Sequence, residues 1–530
     1  MNIHKQLVLK LAGLKVKNSN RLNKVKRQFA NKHKIGMISN AELLYLYRQM
    51  LKKKALPHNE DLEKLLQKRK IRTLSGVAPV AVLTKPYPCP GKCAYCPDEK
   101  LMPKSYLSNE PAVMRAILTK FDPFTQVNVR IRALTDNGHL TDKIELIIMG
   151  GTWSYFPKQY QSWFIKRCFD ACNGKTAKNI EQAHKWNENA KHRIVALTIE
   201  TRPDYVSQKE IAYWRKLGAT KVELGVQSLN DKVLHLNKRG HYIKEVAEAT
   251  KLFKMAGFKV AYHMMPNLPG STTAKDLKDF KTLFGDEGFQ PDLIKIYPTV
   301  VTKNSLLFRW WKQGKYKPYS AKKLFDLLIK IKLLVPAYVR IIRLIRDIPL
   351  ESIEAGNPIS NLRQDLQKEL HKQGKFCKCI RCREAREDLQ GLDKAKLSKI
   401  HYQAPDADEY FYQLTNYNKK KLFAFLRLRL PHKDEQNFIP ELQDCAMIRE
   451  IHTYGRLTPL EKEKKKKNIQ HSGLGTKLTL EAEEFAKKKG FAKMAVISGV
   501  GVRGFYKKLG YKQVGTYMIK DLSCKTKTKK

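Results

Sequence analysis

At 530 residues, 42% of them hydrophobic, the chain is too apolar for a disordered protein and long enough for about two to four domains, each with a core. Lys and Arg outnumber Asp and Glu by 102 to 50, a formal charge of +52 that predicts salt-sensitive attraction to a polyanion, most simply nucleic acid, with a lysine-rich proteome as the alternative source. No apolar run approaches membrane-spanning length, and the N-terminal stretch MNIHKQLVLKLAGLKVK carries too many lysines for a signal peptide; the ten cysteines are therefore expected in a reducing cytoplasm, doing metal or redox chemistry.

Residues 1–75 hold 19 Lys/Arg against four acids and show helical spacing of apolar residues, as in AELLYLYRQMLKKK, so a small basic helical region that grips RNA is expected. From 76 to 350 short apolar runs (78–84, 144–151, 193–200, 221–228, 259–265, 293–298) alternate with amphipathic helical segments such as YIKEVAEATKLFKMAGF. Six such repeats imply a parallel sheet with helical crossovers, curved into a partial, TIM-like barrel whose chemistry sits at the C-terminal strand ends. Arginines at 340, 343 and 346 recur every third residue, which fits neither helix nor strand. Residues 351–404 read as a linker with its own cysteine group. Residues 405–522 read as an α+β domain. In it KKLFAFLRLRLP, CAMIREIHTYG, KMAVISGV and YKQVGTYMIKDL each form a strand, and GLGTKLTLEAEEFAKKKG and VRGFYKKLG form helices; a lysine-rich loop (461–470) precedes them, and the tail 523–530 is expected to be disordered.

The loop after the first barrel run, PYPCPGKCAYCPDEK, places Cys89, Cys93 and Cys96 at C-x3-C-x2-C spacing. A closed zinc site needs a fourth ligand, and the loop offers none. Three thiolates suit a [4Fe-4S] cubane with one iron left open, where S-adenosylmethionine (SAM) can chelate and be cleaved to a 5′-deoxyadenosyl radical. This is the radical-SAM reading. Gly150 and Gly151 in MGGTWS end the second run, where the methionine amino group of SAM is usually met; a tight turn is the alternative. Glu200, with Thr201 and Arg202 after the third run, and Gln227 after the fourth are candidates for the ribose and carboxylate of SAM. Farther on, Gln470, Gly473 and Gly475 form Q-x-x-G-x-G at a helix start, a pyrophosphate cradle whose surrounding order of elements is that of a GNAT acetyltransferase binding acetyl-CoA. Tyr506 sits where that fold places a tyrosine near the thioester sulfur as a general acid, or it serves packing alone.

These blocks, with DKIELIIMGGTW, TIETRPDY, VELGVQS, MMPNLPGST, SNLRQDL, CKCIRCRE, QHSGLGT and AVISGVGVRGFYKKLGY, occur in one order from about 70 to 522. The chain thereby resembles the catalytic subunit of Elongator in its single-chain archaeal or bacterial form. The resemblance implies a tRNA carboxymethyluridine synthase, in which the radical takes hydrogen from the methyl of acetyl-CoA, the carbon radical adds to C5 of the wobble uridine, and thioester hydrolysis leaves a carboxymethyl group. It implies Cys89, Cys93 and Cys96 as cluster ligands and Lys143 as an acetyl-CoA contact, though a charge flanking a strand would read the same. It also implies Glu450, Ile451, His452 and Thr453, then Leu474, Gly475 and Thr476, and Tyr506 as acetyl-CoA positions. Phe505 departs from the second tyrosine many relatives carry. Cys377, Cys379 and Cys382 suit structural zinc, with His371 as a fourth ligand, or else a second iron–sulfur cluster; Cys168, Cys172, Cys445 and Cys524 read as isolated thiols. The resemblance implies neither membrane attachment nor accessory subunits, and leaves a homodimer open. The rival readings are a protein lysine acetyltransferase using the barrel as scaffold, which would need no SAM, and a tRNA-binding acetyl-CoA hydrolase without radical chemistry.

Overall fold

The structure is a computed structural model that describes residues 3–14, 16, 18–67, 75–357, 361–386, 388, 390–454 and 473–523. The N-terminal region is helical: α1 (Ile3–Gly13), α2 (Ser19–Lys32), α3 (Asn40–Lys52) and α4 (Glu60–Leu66). Asn18, Ser39 and Asn59 cap α2, α3 and α4 by accepting from backbone N–H groups three residues on. Leu7, Leu11, Leu43, Leu44 and Tyr47 close a core of their own. This region docks on the helix Pro123–Asp136 and the turn after it. Arg48 donates to the Thr135 carbonyl at 3.0 Å, and Gln67 to the Gly138 carbonyl at 3.2 Å.

The first large unit is a seven-stranded, all-parallel sheet in sequential order: β1 (Ala78–Leu83), β2 (Lys143–Met149), β3 (Arg193–Thr201), β4 (Lys221–Gln227), β5 (Lys259–Met264), β6 (Leu293–Ile296) and β7 (Arg340–Arg343). Helices between successive strands cover the outer face, whose residues, such as Ile144, Leu146 and Ile148 of β2, are buried in the main core. β7 is the segment whose arginine spacing fitted no element. It has four residues and pairs with β6 through Leu293 and Arg340, and its arginines stand at the strand's two ends, outside the core.

The second unit is a mixed seven-stranded sheet ordered β13-β14-β12-β11-β10-β9-β8, with only β11 and β12 parallel. Its strands are β8 (Lys396–Ala404), β9 (Ala407–Thr415), β10 (Leu422–Pro431), β11 (Cys445–Thr453), β12 (Lys493–Val496), β13 (Lys512–Val514) and β14 (Tyr517–Asp521). Two expectations change here. The linker ends before 404, because β8 pairs with β9 along its whole length; as a largely exposed edge strand it carries polar residues that read as connector. YKQVGTYMIKDL is two strands rather than one. Gly515, at φ 53° with Glu441 Oε1 2.2 Å from where a Cβ would sit, turns the chain back on itself. The lysine-rich loop and most of the tail lie outside the described residues. No helix among the described residues is long and apolar enough to cross a membrane.

The two sheets are joined by buried ions. Arg449 on β11, fully buried, donates to Asp292 at 3.0 Å, Glu409 at 2.7 Å and the Phe258 carbonyl at 2.6 Å. Lys254 reaches Glu409 at 3.1 Å, and Arg427 reaches Asp292 at 3.5 Å. β1 and β7 do not pair, so the parallel sheet has a seam. The end of β11 bridges it: His452 bonds the Ser75 carbonyl just before β1 at 2.6 Å, while Arg340 of β7 donates to the Tyr454 hydroxyl at 2.7 Å.

Candidate active site

One cavity of about 1790 Å³ runs between the two lobes. A single small-ligand pocket is typically about 300–1,000 Å³, so this one has room for more than one reactant. Cys89, Cys93 and Cys96 line one end of it, and Glu450, Gly475 and Tyr506 the other. Sequence positions more than 400 apart thus share one chamber.

At the first end the cysteine loop lies at the C-terminal ends of the strands. Cys93 is buried, with Arg239 Nη1 at 3.4 Å and Arg202 Nη1 at 3.9 Å from its sulfur. A hydrogen bond shared with Cys96 and the two guanidinium charges hold the Cys93 thiol well below its ordinary pKa, against the opposing effect of burial. The thiolate is the metal-binding form, so Cys93 is poised to ligate, and three sulfurs on one loop with two guanidiniums beside them suit an iron–sulfur cluster. Cys89 receives the Gly91 N–H at 3.4 Å and approaches the Thr152 hydroxyl at 3.8 Å. Gly150 has φ 133°, and a Cβ there would lie 1.9 Å from Thr84 Oγ1; the strand end needs glycine, although it is Gly151 that faces the cavity. Gln227 lines the cavity with φ 71°, a left-handed conformation costly for a non-glycine residue. Glu200 accepts from the Tyr106 hydroxyl at 2.9 Å and lies 3.7 Å from Lys295 Nζ; burial raises its pKa. Arg346, from the segment that fitted no element, donates to Ser105 Oγ at 2.8 Å and pairs with Glu110 at 3.1 Å, fastening the end of the cysteine loop.

Arg239, Tyr106 and Arg346 were not read from the sequence as site residues. Arg202, read as a strand-end contact to SAM, turns its guanidinium to Cys93 and the Arg239 carbonyl. Arg239 had no signal beyond a KRGH turn 146 residues from the sulfur it faces.

At the second end Lys143, Ile451, Thr453, Gly473 and Thr476 line the cavity. Burial lowers the Lys143 pKa, partly offset by Asp142. Burial opposes ionisation of Glu450, but Lys259 at 3.6 Å and Arg427 hold its pKa down to about 2. Tyr506 is buried, and burial followed by the Glu450 charge raises its pKa, so the phenol keeps its proton. Leu474 turns instead into the core of the second lobe. Gln470 lies outside the described residues.

In the connector the Cys377, Cys379 and Cys382 sulfurs lie within 4.8 Å of one another. Lys332 Nζ is 3.7 Å from Cys382 Sγ. His371 is exposed and is not among the ligand atoms gathered there. Cys168, Cys172 and Cys445 are buried; Cys524 is outside the described residues.

The Radical SAM superfamily pattern matches residues 86–282, and the Radical_SAM C-terminal domain residues 291–372. The tRNA uridine(34) acetyltransferase of Methanocaldococcus jannaschii is 43% identical over 524 residues, covering 96% of this chain and 95% of that protein. Elongator complex protein 3 of Homo sapiens is 37% identical over 522 residues, covering 94% and 93%. The chain belongs to the Elongator complex protein 3 family. Within that family, a solved structure of the archaeal Methanocaldococcus infernus Elp3 lacking residues 1–46 superposes with a TM-score of 0.73 at 42% identity, over 84% of this chain and 99% of that one. The family places both units on one chain: a radical SAM half-barrel and a second mixed sheet.

Proposed function

We propose that this chain modifies the wobble uridine of tRNA, using SAM and acetyl-CoA to install a carboxymethyl group at C5. The tRNA uridine(34) acetyltransferases among its relatives support action on uridine 34, and the matched radical SAM domain supports the type of chemistry. The observation that carries the finer reading is the shared cavity, with a thiol trio at one end and the glycine-lined helix start beside Tyr506 at the other. Cys89, Cys93 and Cys96 would hold a [4Fe-4S] cluster, which with SAM supplies a hydrogen-abstracting radical. Arg239 and Arg202 offset the charge of the sulfurs. Gly151, Gln227 and Glu200 offer polar contacts to SAM, and Tyr106 fixes the Glu200 carboxyl. At the far end Gly473 and Gly475 start a helix whose N–H groups can meet a pyrophosphate, and protonated Tyr506 can donate to a departing thiolate. Lys143 faces the same space. The buried Cys377, Cys379 and Cys382 trio suits a structural zinc bracing the connector.

The deciding experiment is anaerobic turnover with SAM, acetyl-CoA and transcribed tRNA, read by nucleoside mass spectrometry. Wobble uridine should gain the mass of a carboxymethyl group. Unmodified uridine under conditions where SAM is cleaved would sink the reading.

RNA binding is assigned to the basic helical region together with the barrel mouth. Deleting residues 1–70 should weaken tRNA binding and flatten its dependence on salt, measured by filter binding across a salt series, because each lost phosphate contact removes about 0.7–0.9 from the log–log slope. An unchanged slope would place the contacts elsewhere.

A further inference from the structure

The inside of a closed (β/α)₈ barrel is packed solid with side chains. Here it is not. On β2 the outward residues Ile144, Leu146 and Ile148 are at most 1% exposed, whereas the alternate, inward row of Lys143, Glu145, Ile147 and Met149 is partly accessible. Inward rows of the other strands line the same cavity, from Pro79, Lys221 and Arg340 near the strand starts to Gln227 at the end of β4 and Tyr297 just past β6. The lumen is therefore open along the full length of β2, roughly 20 Å for seven residues. The cysteine loop lies at its C-terminal mouth, and the second lobe covers its N-terminal mouth.

The two walls differ. Beyond Lys143, Glu145 and Arg340 at the strand starts, Ala81, Ile147, Met149 and Ile342 make one side apolar. The other is polar and internally paired: Lys221 with Glu145 at 2.6 Å, His263 with Glu223 at 3.0 Å, and Lys295 with both Glu223 and Glu200. Glu200, Glu223 and His263 lie close enough to ligate an ion, but the Lys295 ammonium already bridges the two carboxylates, which disfavours a cation there. A passage with one apolar wall and one wall of satisfied polar groups suits an amphipathic, flexible guest. The pantetheine arm of coenzyme A, with its amides and methyl groups, is such a guest.

We propose that the barrel lumen is the route by which the acyl-bearing arm of a coenzyme A ester, seated by its head on the second lobe, reaches the mouth that holds the cysteine loop. The proposal rests on the acetyl-CoA reading above. It makes Ala81 and Ile147 positioning residues for the arm.

The test tethers the arm. Full-length Ile147→Cys is exposed to coenzyme A disulfide or to glutathione disulfide, with the unsubstituted chain as background, and mixed disulfides are counted by intact mass. Coenzyme A disulfide should label Ile147→Cys at least about tenfold faster than glutathione disulfide, because a seated head raises the arm's local concentration, and acetyl-CoA should suppress that labelling. A second variant, Met149→Cys, should show the same preference and lose it when Ala81→Trp is added below it. Equal rates for the two reagents, or preference surviving the plug, while calorimetry shows acetyl-CoA bound to the unsubstituted chain, would overturn the route alone. Absence of acetyl-CoA binding would overturn the underlying reading and the route together.

Discussion

Cys93→Ala is expected to yield folded but colourless protein that neither holds iron nor modifies tRNA. Of the three loop cysteines, Cys93 is the one classed as buried, and it is the one both guanidiniums face. Its removal takes away a ligand and leaves Arg239 and Arg202 directed at a site with one anion fewer. Residues that only orient metal ligands typically cost about 10–100-fold in affinity when changed, and Arg239→Gln should fall in that range. Cys93→Ala should exceed it, to the point of no measurable iron or sulfide after anaerobic reconstitution. Circular dichroism should match the parent, since the loop is not part of the sheet core. Iron content equal to the parent's would show that these thiols are not the ligands.

The second large effect is expected at Arg449. Arg449→Met leaves Asp292 and Glu409 buried without their shared cation. Breaking a buried pair by removing one partner costs about 3–5 kcal/mol, a large share of the roughly 5–15 kcal/mol that holds a folded protein together. Asp292 lies before β6 of the first sheet, and Glu409 and Arg449 lie on β9 and β11 of the second, so both lobes should lose stability. Differential scanning calorimetry should show one transition moved down. Arg449→Lys should recover only part of the loss, because a single ammonium cannot reproduce a fork that meets Asp292, Glu409 and the Phe258 carbonyl at once. An unchanged transition would mean that the interface is held by its apolar contacts alone.

The six apolar runs were legible because each barrel strand buries its outer row against helices, and that row needs Val, Ile and Leu wherever it lies. The cysteine loop was legible because its ligands are local. β7 was not: four residues bracketed by Arg340 and Arg343 carry too little alternation to read. β8 was missed for the opposite reason, since an edge strand open to water keeps residues such as Lys396, Ser398 and Lys399 that resemble linker. Arg239, Tyr106 and the Arg449–Asp292 pair were illegible because each joins partners 94 to 157 residues apart, and no local period records such a meeting. His371 was suggested by sequence nearness to Cys377, but the helix Leu362–Lys372 leaves it facing solvent.

The strap across the unpaired margin of the parallel sheet has a consequence for how such a chain can be divided. His452 and Tyr454 belong to the second lobe, yet they finish the two borders of the first. A fragment ending after Arg343 would lose both ties and leave the edges of β1 and β7 unbridged, the kind of surface that recruits stray strands. Cutting between the lobes takes from the first sheet the two contacts that span its open side.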